Sequence, residues 1–145
     1  MEPVKIGILG LGTVGSGTVN VLTRNADEIQ RRAGRAIRVV HAAARDLKRK
    51  RNCPTDGIRL TADPQEVVND PEVEVVVELM GGYEPARTLV LQAIENGKHV
   101  VTANKAMIAA HGNEIFAAAQ QKGVMVAFEA AVAGGIPIIK TIREG

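Results

Sequence analysis

Three glycines near the N-terminus have the spacing of a turn that binds phosphate groups. They lie in the run Gly10-Leu11-Gly12-Thr13-Val14-Gly15, directly after a short apolar segment. Gly10 allows a tight turn, Gly12 lets the backbone approach a pyrophosphate, and Gly15 lets a helix pack closely on the preceding strand. The amides and the dipole at the start of that helix favour an anion. We interpret the run as a dinucleotide-binding turn; the alternative is a plain strand-to-helix turn with the same glycines.

Arg45 follows the second predicted strand, where a dinucleotide site distinguishes NAD from NADP. NAD sites carry an Asp or Glu there to bind the ribose 2′-hydroxyl, whereas a guanidinium can pair with a 2′-phosphate through two hydrogen bonds. Lys48 and Arg49 add positive potential. Asp46 is the complication, because its carboxylate could bind the ribose hydroxyls and so allow NAD. The sequence therefore predicts NADP, with NAD possible.

Two further charged residues follow later strands. Lys105 comes after Thr102-Ala103-Asn104, where a lysine could polarise a carbonyl, orient a carboxylate or take part in proton transfer. The alternative is a surface lysine in the first turn of a helix. Glu129 precedes a run of small residues, and one carboxylate with backbone carbonyls suits an alkali cation. A turn with Glu129 facing solvent would have the same sequence.

Alternating strands and helices are predicted to position these residues at one edge of a sheet. Short β-branched runs predict strands at residues 4–9, 37–43, 58–60, 73–79, 99–102 and 124–128. Helical spacing follows the glycines and recurs at 64–69, 85–96 and 104–122, while 25–36 is predicted to be a frayed helix extension or a loop. The last long helix is predicted to bury Ile108, His111, Ile115, Ala118 and Ala119. This order predicts an α/β fold, a doubly wound and mainly parallel sheet of Rossmann type.

Composition narrows the functional classes. The 145 residues are 46% hydrophobic, with no apolar stretch of membrane-spanning length and a single cysteine, so we expect one domain, no membrane partner and a cytoplasmic location. Residues 31–51 hold nine of the 18 Lys and Arg and one acid. None of the three aromatic residues lies in that window, and single-strand nucleic-acid binders need such stacking platforms. We therefore expect no nucleic-acid partner, and a solvated basic face is the alternative to a phosphate site.

Several of these segments together resemble the nucleotide-binding half of homoserine dehydrogenases. The resemblance rests on the glycine turn, Arg45-Asp46, Glu78-Leu79-Met80-Gly81-Gly82, Thr102-Ala103-Asn104-Lys105-Ala106 and the run from Glu129 to Pro137. It implies reversible hydride transfer between NAD(P)H and a small-molecule substrate, L-aspartate 4-semialdehyde, which gives L-homoserine on the route to threonine and methionine.

The resemblance also implies roles for individual residues. The backbone at Leu11, Thr13 and Val14 contacts the cofactor, Arg45 favours NADP, and Lys105 lies near the nicotinamide and the substrate. A monovalent cation such as sodium is held by Glu129 and by the carbonyls of Val132, Gly134 and Ile136.

The same resemblance predicts a domain organisation. Residues 1–135 form the nucleotide-binding domain, and 136–145 begin a helix that leads into a substrate and dimerisation domain outside this chain. We expect the chain alone to bind cofactor weakly without turnover, and the full-length enzyme to be a homo-oligomer. The alternatives are the cofactor domain of another NADP-dependent reductase of amino-acid metabolism and a non-catalytic NADP-sensing module.

Overall fold

A parallel six-stranded sheet forms the centre of the part that the computed structural model describes, residues 3–47 and 55–128. The elements in chain order are β1 (Val4–Leu9), α1 (Thr13–Arg24), α2 (Ala26–Ala33), β2 (Ile37–Ala43), β3 (Arg59–Thr61), α3 (Pro64–Val68), β4 (Val75–Glu78), α4 (Ala86–Glu95), β5 (His99–Thr102), α5 (Lys105–Lys122) and β6 (Val126–Phe128). The strand order is β3-β2-β1-β4-β5-β6, and every pair is parallel. The predicted doubly wound Rossmann-type fold is confirmed.

Both faces of the sheet are covered by helices, which explains why the central strands are apolar at almost every position. On one face, Val76 and Val100 belong to a core with residues of α3, α4 and α5, among them Leu89 and Ile115. On the other face, Ile8, Val77 and Val101 belong to a second core with Val19 and Leu22 of α1. The two cores hold the helices against the two faces of the sheet.

Most element bounds lie within one residue of the prediction, while β4 and β6 each begin two residues later than predicted. β2 and β5 have the predicted bounds, and α4 lies within the predicted residues 85–96. β4 is shorter than residues 73–79, because the Val73 amide donates to the Asp70 carbonyl in a turn before the strand begins. Residues 26–33 form a separate helix, which ends at Gly34 with φ +77°.

The predicted buried face of α5 is partly wrong. Ile115 and Ala119 are buried as predicted, but Met107 and Gly112 complete the buried set. Ile108, His111 and Ala118 are only half-buried. The helix begins at Lys105 under the cap of Asn104, which receives the Met107 amide, and this start turns Met107 towards the sheet.

None of the helices in the described ranges is long and apolar enough to cross a membrane. The predicted domain boundary at 135–136 lies outside the described residues.

Candidate functional site

The glycine turn joins β1 to α1 at the centre of the carboxyl edge of the sheet. Gly10 has φ +100°, and a Cβ there would lie 3.1 Å from the carbonyl of Leu79. A Cβ on Gly15 would lie 2.4 Å from the Gly10 oxygen, so this position must remain glycine for the helix to approach the turn. Gly10 and Gly15 therefore have the structural roles that the sequence predicted for them.

Gly12 differs from these two glycines because the space beside it is open. It is exposed, and a Cβ there would meet nothing within 4 Å. The first helical bond runs from the Ser16 amide to the Gly12 oxygen, at 2.8 Å. The amides of Thr13, Val14 and Gly15 precede that bond, at the positive end of the helix dipole, with no acidic side chain in the first turn. The open space and the amides together fit a diphosphate.

The backbone amide of Leu11 takes part in a hydrogen bond within the protein. Its side chain is buried, and its amide and that of Gly10 each donate to the Ala43 oxygen at 3.0 Å. The Leu11 amide is therefore already engaged within the protein. The same pair of bonds places the end of β2 beside the turn.

Arg45 lies two residues beyond Ala43 and is exposed. The preceding Ala44 donates its amide to the Thr61 oxygen at 2.9 Å, so the backbone that carries Arg45 is held between β1 and β3. Asp46 is also exposed and has an interaction partner within the chain. Lys48 and Arg49 lie outside the described residues.

Lys105 is the exposed first residue of α5, at the end of β5. Asn104 caps the helix, because its Oδ1 accepts the Met107 amide at 3.1 Å while its Nδ2 donates to the Gly82 oxygen at 2.6 Å. The sheet order β2-β1-β4-β5 thus brings Arg45, the glycine turn, the loop after β4 and Lys105 to one edge in that order. Four neighbouring strands span roughly 14 Å, and the turn lies where the strand order reverses, the usual ligand position in such sheets.

A buried carboxylate at this edge received no role from the sequence. Glu78 ends β4 and is fully buried. Its Oε2 accepts the amides of Met80 and Gly81 at 2.7 and 3.2 Å, and its Oε1 accepts the Thr102 hydroxyl at 2.6 Å. The sequence signal was weak, since the predicted strand 73–79 contains two acids, Glu74 and Glu78. The partner Thr102 is 24 residues away from Glu78 and could not be identified from spacing.

A second buried polar cluster lies at the opposite, amino edge of the sheet. Asp70 is 2.9 Å from Nδ1 of His41, accepts a hydrogen bond from Arg59 and receives the Glu72 amide at 2.9 Å. Burial raises the pKa of Asp70, but these hydrogen bonds and neighbouring charges outweigh it and place the pKa below the ordinary 3.8. Lys98 is buried and donates to the Asp70 and Val73 oxygens; burial lowers its pKa and the charge of Asp70 opposes that effect.

The predicted cation ligands Glu129, Val132, Gly134 and Ile136 lie outside the described residues. Within residues 3–47 and 55–128, no group of three or more His, Cys, Asp or Glu side chains could hold a metal ion.

A family model described as the NAD-binding domain of homoserine dehydrogenase matches residues 10–129. The chain belongs to this family. A homoserine dehydrogenase of Pseudomonas aeruginosa is 68% identical over the whole chain, and one of Neisseria gonorrhoeae is 56% identical. The chain spans about a third of the length of these curated relatives, since it covers 33% of each.

Solved structures of the family share the fold. A crystal structure of a homoserine dehydrogenase from Thiobacillus denitrificans is 65% identical with a TM-score of 0.84, and it is matched over 100% of this chain and 33% of its own. A homoserine dehydrogenase of S. aureus is 39% identical with a TM-score of 0.82, over 90% of this chain and 33% of its own. The chain is thus similar to the nucleotide-binding third of these longer proteins.

Proposed function

We propose that this chain binds NADP(H) along the carboxyl edge of the sheet, with NAD(H) as a weaker alternative, as the cofactor domain of a homoserine dehydrogenase. The open space at Gly12 carries this proposal. It lies beside the first amides of α1 at the point where the strand order reverses, so a diphosphate has both room and hydrogen-bond donors there.

The preference for NADP rests on Arg45. Its backbone lies beside the glycine turn, on the β2 side, and its side chain is exposed. A guanidinium can form two parallel hydrogen bonds to a 2′-phosphate, and a charged partner strengthens each of them. The adenosine half of the cofactor would therefore lie towards β2 and the nicotinamide half towards β4 and β5.

We propose that the full-length enzyme interconverts L-homoserine and L-aspartate 4-semialdehyde, the activity that the names of its relatives indicate. When bound, the nicotinamide supplies the hydride for synthesis of the alcohol and accepts it in the reverse direction. The reduction adds this hydride to the aldehyde carbon and a proton to its oxygen, so charge grows on that oxygen during the step.

Lys105 is the residue of this chain that would stabilise that charge. Its ammonium is exposed at the end of β5 and could donate a hydrogen bond to the aldehyde oxygen or hold the carboxylate of the substrate. The first turn of a helix is an unfavourable place for a lysine. A bound anion or a developing negative charge would offset this cost.

Further parts of the proposal concern the whole protein. A monovalent cation such as sodium would bind Glu129 and the carbonyls of Val132, Gly134 and Ile136. The enzyme would be a cytoplasmic homo-oligomer that serves threonine and methionine synthesis.

The proposal is tested by titrating NADPH and NADH into the chain and into Arg45→Ala. The variant should lose about 1.5–3 kcal/mol of NADPH affinity, the value of a hydrogen-bonded charge, while NADH affinity changes little. Arg38→Ala is the matched control, because it removes an exposed arginine of β2 that lies in the same basic window as Arg45, and it should leave both affinities unchanged. Equal losses for both cofactors, or no binding of either by the unaltered chain, would contradict the proposal.

A further inference from the structure

Two strand-to-helix junctions at the carboxyl edge have the same local design. At the end of β3, the Asp63 amide donates to the Thr61 hydroxyl at 3.0 Å, and Asp63 caps α3 by accepting the Gln65 amide. At the end of β5, the Asn104 amide donates to the Thr102 hydroxyl at 3.0 Å, and Asn104 caps α5. Both threonines are buried. The sequence pattern of a threonine two residues before the cap therefore accounts for the local turn in both places.

Only the second junction is tied to a neighbouring strand through a carboxylate. The Thr102 hydroxyl donates to Glu78, and Asn104 donates to the Gly82 oxygen. The other carboxylate oxygen of Glu78 holds the amides of Met80 and Gly81. A closed set of bonds thus links the loop after β4 to the first turn of α5. A helix cap alone does not need such a link, as the β3–α3 junction demonstrates.

The linked segments are the two that flank the proposed nicotinamide half of the cofactor. The loop after β4 is next to the glycine turn, and Lys105 follows Asn104 directly. Gly81 and Gly82 have φ +78° and +74° and would meet nothing within 4 Å at an added Cβ. Their side of the loop is open to a ligand, while Glu78 holds it from the buried side.

We propose that Glu78 is a positioning residue, which acts through Thr102 and Asn104 to hold the loop after β4 and the start of α5 in register for the nicotinamide half of the cofactor. This inference rests on the proposed function. The carboxylate itself touches no cofactor, because it is fully buried and its bonds run to the protein.

The test compares two ligands on the 145-residue chain: NADPH, and adenosine 2′,5′-bisphosphate, which has the adenosine half alone. Thr102→Val keeps the shape of the side chain and removes the hydroxyl between Glu78 and Asn104. It should weaken NADPH binding about tenfold or more, because the loop after β4 and the start of α5 would no longer be tied together at the nicotinamide half. The affinity for the bisphosphate should stay within about twofold. Thr102→Ser keeps the hydroxyl and should restore NADPH affinity.

Thr61→Val is the matched control for a purely structural effect, because it removes the same cap acceptor from the β3–α3 junction. It should lower the melting temperature and leave NADPH affinity unchanged. Glu78→Gln provides a second route if Thr102→Val does not fold. It keeps an acceptor for the Met80 and Gly81 amides but takes away the acceptor of the Thr102 hydroxyl hydrogen and the charge that strengthens that bond, so NADPH affinity should again fall selectively.

Several results would overturn the inference. If folded Thr102→Val binds NADPH as tightly as the unaltered chain, the bonds from Glu78 to Asn104 have a structural role only. The same conclusion would follow if the variant lost equal affinity for both ligands. Equal affinity of the unaltered chain for NADPH and the bisphosphate would mean that the nicotinamide half is not held at all. Failure of the unaltered chain to bind either ligand would instead contradict the proposed function itself.

Discussion

Each end of β4 lies beside a buried carboxylate, and the two are held by different kinds of partner. At the amino end, Asp70 is surrounded by His41, Arg59 and the ammonium of Lys98, which donates to its backbone oxygen. At the carboxyl end, Glu78 is held by a hydroxyl and two backbone amides. Charged side chains tie distant parts of the chain together at the first edge. Neutral groups of the following loop and of β5 hold the carboxylate at the second.

The difference indicates that one edge of the sheet stabilises the fold and the other binds the cofactor. Partners of Asp70 come from β2, β3 and the segment before β5, so that cluster joins elements whose contacts define the fold. Partners of Glu78 come from the loop after β4 and from β5, next to the glycine turn. We expect changes at the amino edge to alter the free energy of unfolding, and changes at the carboxyl edge to alter cofactor affinity.

The largest effect is expected from Asp70→Ala. It removes the acceptor from His41, Arg59 and the Glu72 amide, which should cost roughly 2–4 kcal/mol of unfolding free energy, less than a fully enclosed ion pair because Arg59 can reach water. NADPH affinity should not change. Denaturant unfolding measures the first quantity, and calorimetric titration measures the second. Glu72→Ala is the control: its side chain is 54% exposed and lies 3.9 Å from Lys5, so the loss should stay within about 0.5 kcal/mol.

Gly12→Ala should lower the cofactor affinity and leave stability unchanged, which is the reverse of the effect expected of Asp70→Ala. A methyl group there meets no protein atom within 4 Å but occupies the space proposed for the diphosphate. NADPH should bind at least about tenfold more weakly, or about 1.4 kcal/mol, while the melting temperature stays close to that of the unaltered chain. An affinity equal to that of the unaltered chain would show that the diphosphate does not bind at this turn. Gly15→Ala is the contrasting variant, because its Cβ would lie 2.4 Å from the Gly10 oxygen and should destabilise the fold.

How much of this division could be predicted from the sequence depends on the distance along the chain between interacting residues. The glycine turn, the bounds of β2 and the end of α5 at Lys122 depend on residues a few positions apart, and all were predicted. The shortened β4 and the burial of Met107 depend on contacts with other elements. The bonds of Glu78 to Thr102 and of Asp70 to His41 span 24 and 29 residues, and no local pattern specifies such pairs.

The smallest expected effect is the acid dependence of stability at the amino edge. Because the pKa of Asp70 is lowered in the folded protein, its contribution is fully present above the ordinary value of 3.8 and is lost as the pH falls through the lower folded value. The unfolding free energy of Asp70→Asn should therefore depend less on pH below about 4 than that of the unaltered chain. Parallel pH profiles for the two proteins would mean that the folded structure does not favour the ionised form.

Amide hydrogen exchange of the 145-residue chain with and without saturating NADPH tests the assignment of cofactor binding to the carboxyl edge most directly. Exchange should slow at Thr13, Val14 and Gly15, at residues 80–82 and at Lys105, and should be unchanged around Glu72 and Lys98. Protection centred on the amino edge, or no protection at the glycine turn when NADPH is bound, would contradict that assignment.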